Sequence, residues 1–377
     1  MPLYTSSARR TPETNHIRYR QGLSGRRRIA LLARAAYALT ALLTAGVVAA
    51  ELLHAPLALV FPLSAAALVG LAWVLGQATE SLGHHAGPRV GGLLNATFGN
   101  AAELIITLFA LAAGLTTVVK ASIIGSIIGN ALLVLGASML LGGLKNGTQS
   151  FSATIAGINA SMLAIVAAAL ALPTIFALTG PGGRPSPTSL SIEVAAVMLL
   201  LYLLYLLYYF RHPEAGAAAG SGHAPFGRLA SLLLLLGSTA AVAYVSEAFV
   251  GSIEPLVEEF GISELFVGVI LVPLVGNIAE HLVGVQIAYR NQMDFSMAIS
   301  LGSSLQVALL VTPILVFLGP LLGHPLTLVF TPLELGSLAA AVAITSIIAL
   351  DGRSNWLEGA MLCGVYAIAA LAFFFSP

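Results

Sequence analysis

Charge is scarce in this chain: only 8% of its 377 residues are Asp, Glu, Lys or Arg, while 58% are hydrophobic. An ordinary soluble domain carries about 25% charged residues. No soluble core could hide this much apolar surface, so a lipid bilayer must cover it. Cysteine is nearly absent as well. Cys363 stands alone inside an apolar run, which excludes an intramolecular disulfide and any Cys/His metal cluster, and it reads as a small packing residue. Lys120 and Lys145 are the only lysines among sixteen cations, and the formal net charge is zero. With no basic patch beyond an Arg-rich N-terminus, nucleic acid is not an expected partner. The Ser/His, His-x-x-Glu-His and paired-Asp patterns of hydrolases are missing too, which argues against an enzyme.

What is present is a series of long apolar runs. Eleven are expected to span the membrane, at about 35–53, 56–76, 92–114, 121–144, 151–173, 190–210, 229–250, 262–289, 296–319, 325–350 and 355–375. All are expected to be helices, because an open strand cannot satisfy its backbone in lipid and the alternation of a barrel is missing. The fold class is therefore an all-α polytopic membrane protein. Residues 1–34 form a polar, Arg-rich tail whose first 28 residues are expected to be disordered or to lie along the membrane. The span that follows is too long for a signal peptide. If the tail is cytoplasmic, Arg89, Lys145, Arg211, Arg228, Arg290 and Arg353 fall on the same side, and only Lys120 and Arg184 fall outside. This bias follows the positive-inside rule and supports the span count, since one missed helix would spoil it. A multi-pass protein of a bacterial inner membrane, N-terminus inside, is expected.

The chain also repeats itself. Residues 211–228 are small, polar and Gly/Ala-rich, and they divide the chain after the sixth span. Shifting the sequence by 177 without a gap lays Gly99-Asn100 on Gly276-Asn277, Glu103 on Glu280, and Gly125-Ser126 on Gly302-Ser303. Each copy holds five spans, 56–210 and 229–377, and 35–55 is left as an extra peripheral helix. Five is odd, so the second copy is expected to be inverted, an arrangement common among secondary transporters, with the binding site near the midplane.

The repeated motif suits a hard cation. Glu103 and Glu280 lie deep in their spans, where a carboxylate must be protonated or paired with a cation. One divalent cation neutralises both, and so do two protons, which gives the coupling rule of an antiporter. Asn100 and Asn277 stand three residues before each Glu, on the same helix face. Gly99 and Gly276 weaken the helix and free carbonyl ligands, and Pro273 adds a break. Ser126 with Asn130, and Ser303 with Gln306, supply polar groups from partner spans. His281 follows Glu280 and could carry a proton. Glu80 and Glu247 are candidate gating or relay carboxylates, and Glu334 is a weaker candidate in the tenth span.

GNAAELIITLFAL, GNIAEH and LGSSLQVALLVTP resemble the calcium/cation antiporter superfamily, and most closely its Ca²⁺/H⁺ exchanger branch, over roughly residues 56–377. The resemblance implies Glu103 and Glu280 as central carboxylates, with Asn100, Asn277, Ser126, Ser303 and Gln306 around them. It also implies that His281 marks the proton-coupled branch, and that related proteins form homo-oligomers. No cofactor is implied beyond the transported Ca²⁺ and H⁺. The linker departs from the family in holding only one acid, Glu214, and Gly129 stands where relatives often have Ser. Transport of Mn²⁺, Mg²⁺ or Na⁺, or a cation channel, remain alternatives.

Overall fold

The computed structural model describes residues 12–179, 186–211 and 226–376. Residues 1–11, Arg184 and most of the linker, with Glu214, lie outside the described residues. In chain order the helices are α1 (Pro12–Leu52), α2 (Leu57–Ala86), α3 (Pro88–Phe98), α4 (Ala101–Ala112), α5 (Thr116–Ile128), α6 (Leu135–Asn146), α7 (Ala153–Thr179), α8 (Pro187–Arg211), α9 (Arg228–Gly251), α10 (Ile253–Phe260), α11 (Glu264–Phe266), α12 (Val272–Tyr289), α13 (Met293–Gln306), α14 (Thr312–Leu318), α15 (Pro332–Ile348) and α16 (Trp356–Phe374). Three π-helical segments, Gly129–Val134, Val267–Leu271 and Val307–Val311, join α5 to α6, α11 to α12 and α13 to α14. One antiparallel pair, β1 (Gln149–Ser150) and β2 (Arg353–Ser354), is the only sheet among the described residues.

All eleven expected spans carry helix. By length and apolarity eight single helices can cross a membrane, and the bent pair Glu264–Ile278 plus Glu280–Tyr289 makes a ninth. The third and tenth spans hold the shorter apolar helices Ala101–Ala112 and Pro332–Ile348. Burial sorts them into centre and rim. In the most apolar window of Thr116–Asn146, 83% of residues are buried, against 11% for Leu31–Leu52, so the first span is peripheral. Small residues bring the central helices together. A Cβ on Gly359 of α16 would run into the backbone of Leu140 in α6, and one on Gly125 of α5 would run into the carbonyl of Val269. Such close approach is the usual means of packing where lipid supplies no hydrophobic drive between helices.

Three expectations need correction. The tail is not irregular throughout: helix begins at Pro12, because lengthening a helix that the first span has nucleated costs little. The third span is not one helix, but breaks at Gly99-Asn100 between α3 and α4. The tenth span is not helical from 325, since residues 324–331 are extended and α15 starts at Pro332. That extended backbone is tolerated because side chains satisfy it. Leu328 N donates to Ser191 Oγ (2.9 Å), Phe330 N to Thr174 Oγ1 (2.9 Å), and Lys120 Nζ to the carbonyl of Val329 (3.0 Å). Protein, not lipid, surrounds it: Leu326, Leu328 and Phe330 are buried.

Loops assigned to one face of the membrane by their cations do meet. Lys145 donates to the carbonyl of Tyr289 (3.1 Å) and sits 3.8 Å over the Tyr289 ring. Gln149 bonds Asn291 (3.0 Å) and pairs with Ser354 through β1 and β2. His85 bonds the carbonyl of Phe226 (2.7 Å). On the opposite face, Tyr244 bonds Glu51, and Ser263 bonds the carbonyl of Phe373 (3.0 Å).

Candidate cation-binding site

The break at Gly99-Asn100 places Glu103 in the first turn of α4, buried at 1% exposure. The second motif sits on α12, which bends by 67° between Ile278 and Glu280. The two breaks are not equivalent. The first falls three residues before its Glu and the second immediately before, so the backbones diverge more than the matching motifs suggest.

The side chains interlock across the repeats. Ser126 and Asn277 both donate to Glu103, the amide at 3.1 Å, and Asn277 also reaches Ser126 Oγ (3.2 Å). On the other side, Ser303 lies 2.6 Å from Glu280 Oε2 and 3.0 Å from Asn100 Oδ1, while Asn100 Nδ2 donates to Gln306 Oε1 (2.7 Å). Each Glu thus meets the Ser 23 residues later in its own repeat, and that Ser meets the Asn of the other repeat. The motif glycines make room for this. A Cβ on Gly99 would stand 3.0 Å from Glu280 Oε1, and one on Gly276 would stand 3.4 Å from Glu103 Cβ.

Proton counting separates the halves. Glu103 receives two donors and needs no proton of its own. Ser303 has one proton for two acceptor contacts, so the second set closes in one of two ways. A protonated Glu280 can donate to Ser303, or the Asn100 amide can turn to offer its Nδ2. No Lys or Arg pairs with either carboxylate among the described residues, so protein charge does not neutralise them. Asn277 Oδ1 is buried without a partner and is a spare oxygen beside Glu103. Carboxylate, amide and hydroxyl oxygens in this number suit Ca²⁺, which takes six to eight oxygen ligands. Among the described residues no group of three or more His, Cys, Asp and Glu could hold a metal, which leaves no softer site to compete.

Other sequence candidates lie outside this network. Asn130 is buried in the Gly129–Val134 π segment with its Nδ2 unpaired, and it bonds to neither Glu. His281 is half-buried and makes no hydrogen bond among the described residues. Glu80 and Glu247 are exposed on α2 and α9 and are not bonded to the carboxylates; Glu247 instead lines a cavity of about 380 Å³ with Glu51 and His54. Glu334 is at the start of α15, where it closes a capping box with Thr331. The sequence reading missed the extended segment and its anchors Thr174, Ser191 and Lys120. A lone Lys near a span end was the one signal it offered.

With this geometry in place, comparison with known proteins is informative. The profile of the family described as "Sodium/calcium exchanger protein" matches in two blocks, residues 56–211 and 230–375. A Ca(2+)/H(+) antiporter of Aphanothece halophytica is 42% identical over 337 residues, 84% of this chain and 90% of that protein. The Ca(2+)/H(+) antiporter ChaA of Bacillus subtilis is 42% identical over 347 residues, 88% of this chain and 97% of its own. The solved structure of native YfkE is similar with a TM-score of 0.80 at 40% identity, covering 90% of this chain and all of that one.

Proposed function

The chain belongs to the sodium/calcium exchanger protein family, and on that premise we propose that it is a secondary antiporter exchanging Ca²⁺ for H⁺ by alternating access. It is an integral, multi-pass membrane protein. Residues 56–210 and 229–377 are the two inverted repeats, a division supported by the two blocks of the family match. The N-terminus faces the cytoplasm, which the Arg distribution supports, and the bacterial inner membrane is the expected location.

Glu103 and Glu280 are the coupling groups. The single observation that carries this is their setting: each carboxylate is held by donors from both repeats, and no protein cation offsets it. A bare, doubly ionised pair is too poorly solvated to be exposed in turn to the two faces. Ca²⁺ discharges the pair with one ion and protons with two, so the carrier changes face only when loaded. Asn100, Asn277, Ser126, Ser303 and Gln306 shape the cavity and supply neutral oxygens. Gly99 and Gly276 let the two motif helices approach. His281, next to Glu280, assists proton exchange.

Proton-driven ⁴⁵Ca²⁺ uptake into proteoliposomes tests this, with Mn²⁺, Mg²⁺ and Na⁺ as competitors. Uphill Ca²⁺ movement driven by a pH gradient is expected, and Glu103→Gln and Glu280→Gln should each abolish it while the protein still folds. Normal exchange by either variant would defeat the assignment. Downhill flux alone would indicate a channel.

A further inference from the structure

Beyond Glu280 lies a group of hydroxyls that the cation site does not use. Ser138 on α6, and Ser296 and Ser300 on α13, are fully buried, and their Oγ atoms have no hydrogen-bond partner among the described residues. A buried hydroxyl left unpaired is costly, so three in one region require an occupant. Two of them face the same spot. A Cβ on Gly284 would lie 3.8 Å from Ser138 Oγ and 3.9 Å from Ser296 Oγ.

Gly284 follows Glu280 by one helical turn, on the way to Tyr289 and the face where α12 ends. Ser296, Ser300 and Ser303 recur at spacings of four and three, so they share one face of α13. Ser303 in turn touches Glu280 (2.6 Å). The hydroxyls therefore run from the start of α13 up to the carboxylate. The repeat does not explain them. The 177-residue shift places Val119 at Ser296, Ile123 at Ser300 and Leu315 opposite Ser138, all three buried and apolar. It places Thr107 at Gly284, and that hydroxyl is occupied by the carbonyls of Glu103 and Leu104. One half is dry where the other is polar.

We propose that Gly284, Ser138, Ser296 and Ser300 hold a short chain of buried waters that carries protons between Glu280 and the face where α12 ends, apart from the route of the cation. The reading rests on the antiport function above. A water at Gly284 has two or more polar partners, as a buried water needs. In the transfer, the O–H bond of the Glu280 carboxyl breaks and its proton passes to the adjoining water. That water releases another proton along the hydroxyls, so one proton reaches bulk solvent and one carboxylate is left ionised.

The test compares two transport modes of the full chain in proteoliposomes: proton-driven ⁴⁵Ca²⁺ uptake, and ⁴⁵Ca²⁺/Ca²⁺ self-exchange at equal pH, which needs no proton release. Gly284→Ala fills the water space yet suits a helix, and its Cβ meets Val134 Cγ1 at 3.3 Å, which a small shift relieves. The double change Ser296→Ala with Ser300→Ala removes the hydroxyls without adding bulk, and Ser296→Thr keeps one. We expect Gly284→Ala and the double variant to slow proton-driven uptake about tenfold, with self-exchange held within about twofold and Ser296→Thr near wild type. Parallel loss in both modes, or no loss in either, overturns the relay. If the unaltered protein self-exchanges Ca²⁺ but shows no proton-driven uptake, the antiport reading itself fails and takes the relay with it.

Discussion

Glu103 and Glu280 each keep a neutral donor close and a cationic side chain away, and this choice has measurable results. Because metal binding must displace protons from the same oxygens, Ca²⁺ affinity falls as pH falls. Two coupled carboxylates allow a limiting slope of about two in a plot of log affinity against pH, and a Glu280→Gln variant that still bound Ca²⁺ would be limited to about one. Calcium titration of detergent-solubilised protein across the acidic range checks this; an unchanged slope would separate Glu280 from proton coupling. Asn277 reaches both Glu103 and Ser126 and keeps its own oxygen unpaired. Asn277→Ala should therefore weaken Ca²⁺ binding by about tenfold or more, since about 1.4 kcal/mol suffices for that, with little change in fold. At this scale most of the site was legible in the sequence, because a buried Glu has few bland explanations and the repeat named its partners twice. Glu80 and Glu247 were not separable from it, since depth along a span says nothing about which way a side chain faces.

At the scale of the element, glycine and proline marked the breaks, but hydropathy could not say what lay between them. The run 325–350 is apolar whether its first residues are helical or extended and buried, and only the hydrogen bonds from Ser191, Thr174 and Lys120 distinguish the two. Lys120 also lies near Glu334, whose Oε1 is buried without a partner. Lys120→Met should leave the Val329 carbonyl unpaired and lower stability by about 1–3 kcal/mol, seen as a fall in the thermal midpoint in detergent. A midpoint equal to that of the unaltered protein would show that the extended segment does not depend on this anchor. Gly125 is less forgiving. Its missing side chain is the space into which Val269 fits, so Gly125→Val should prevent accumulation of folded protein, whereas Gly302→Ala, which meets nothing within 4 Å, should be tolerated.

For the whole molecule, the arrangement of the spans was readable from the cations alone. The loops they group together are the ones that meet, Lys145 with Tyr289 at one face being the clearest case. What the cations could not reveal is how the two halves are tied at that face, because those ties run through backbone carbonyls and a two-residue sheet that no pattern announces. Sidedness itself is open to direct test. In a Cys363→Ser background, Thr148→Cys should react with a membrane-impermeant maleimide only from the cytoplasmic side and Leu321→Cys only from the other. Labelling of both from one side would require an even number of crossings between them to be lost or gained.

Each π turn accommodates one more residue than a regular turn of the helix. In Val307–Val311 the surplus is spanned by Thr312, whose hydroxyl reaches the Val307 carbonyl at 2.9 Å. Deleting one residue there would restore ordinary pitch while rotating everything downstream by about 100° against Ser303 and Gln306. Shortening by a single codon, usually harmless in a surface loop, should therefore be among the least tolerated lesions in this protein. A second-site insertion that rescued it would have to fall within the same turn.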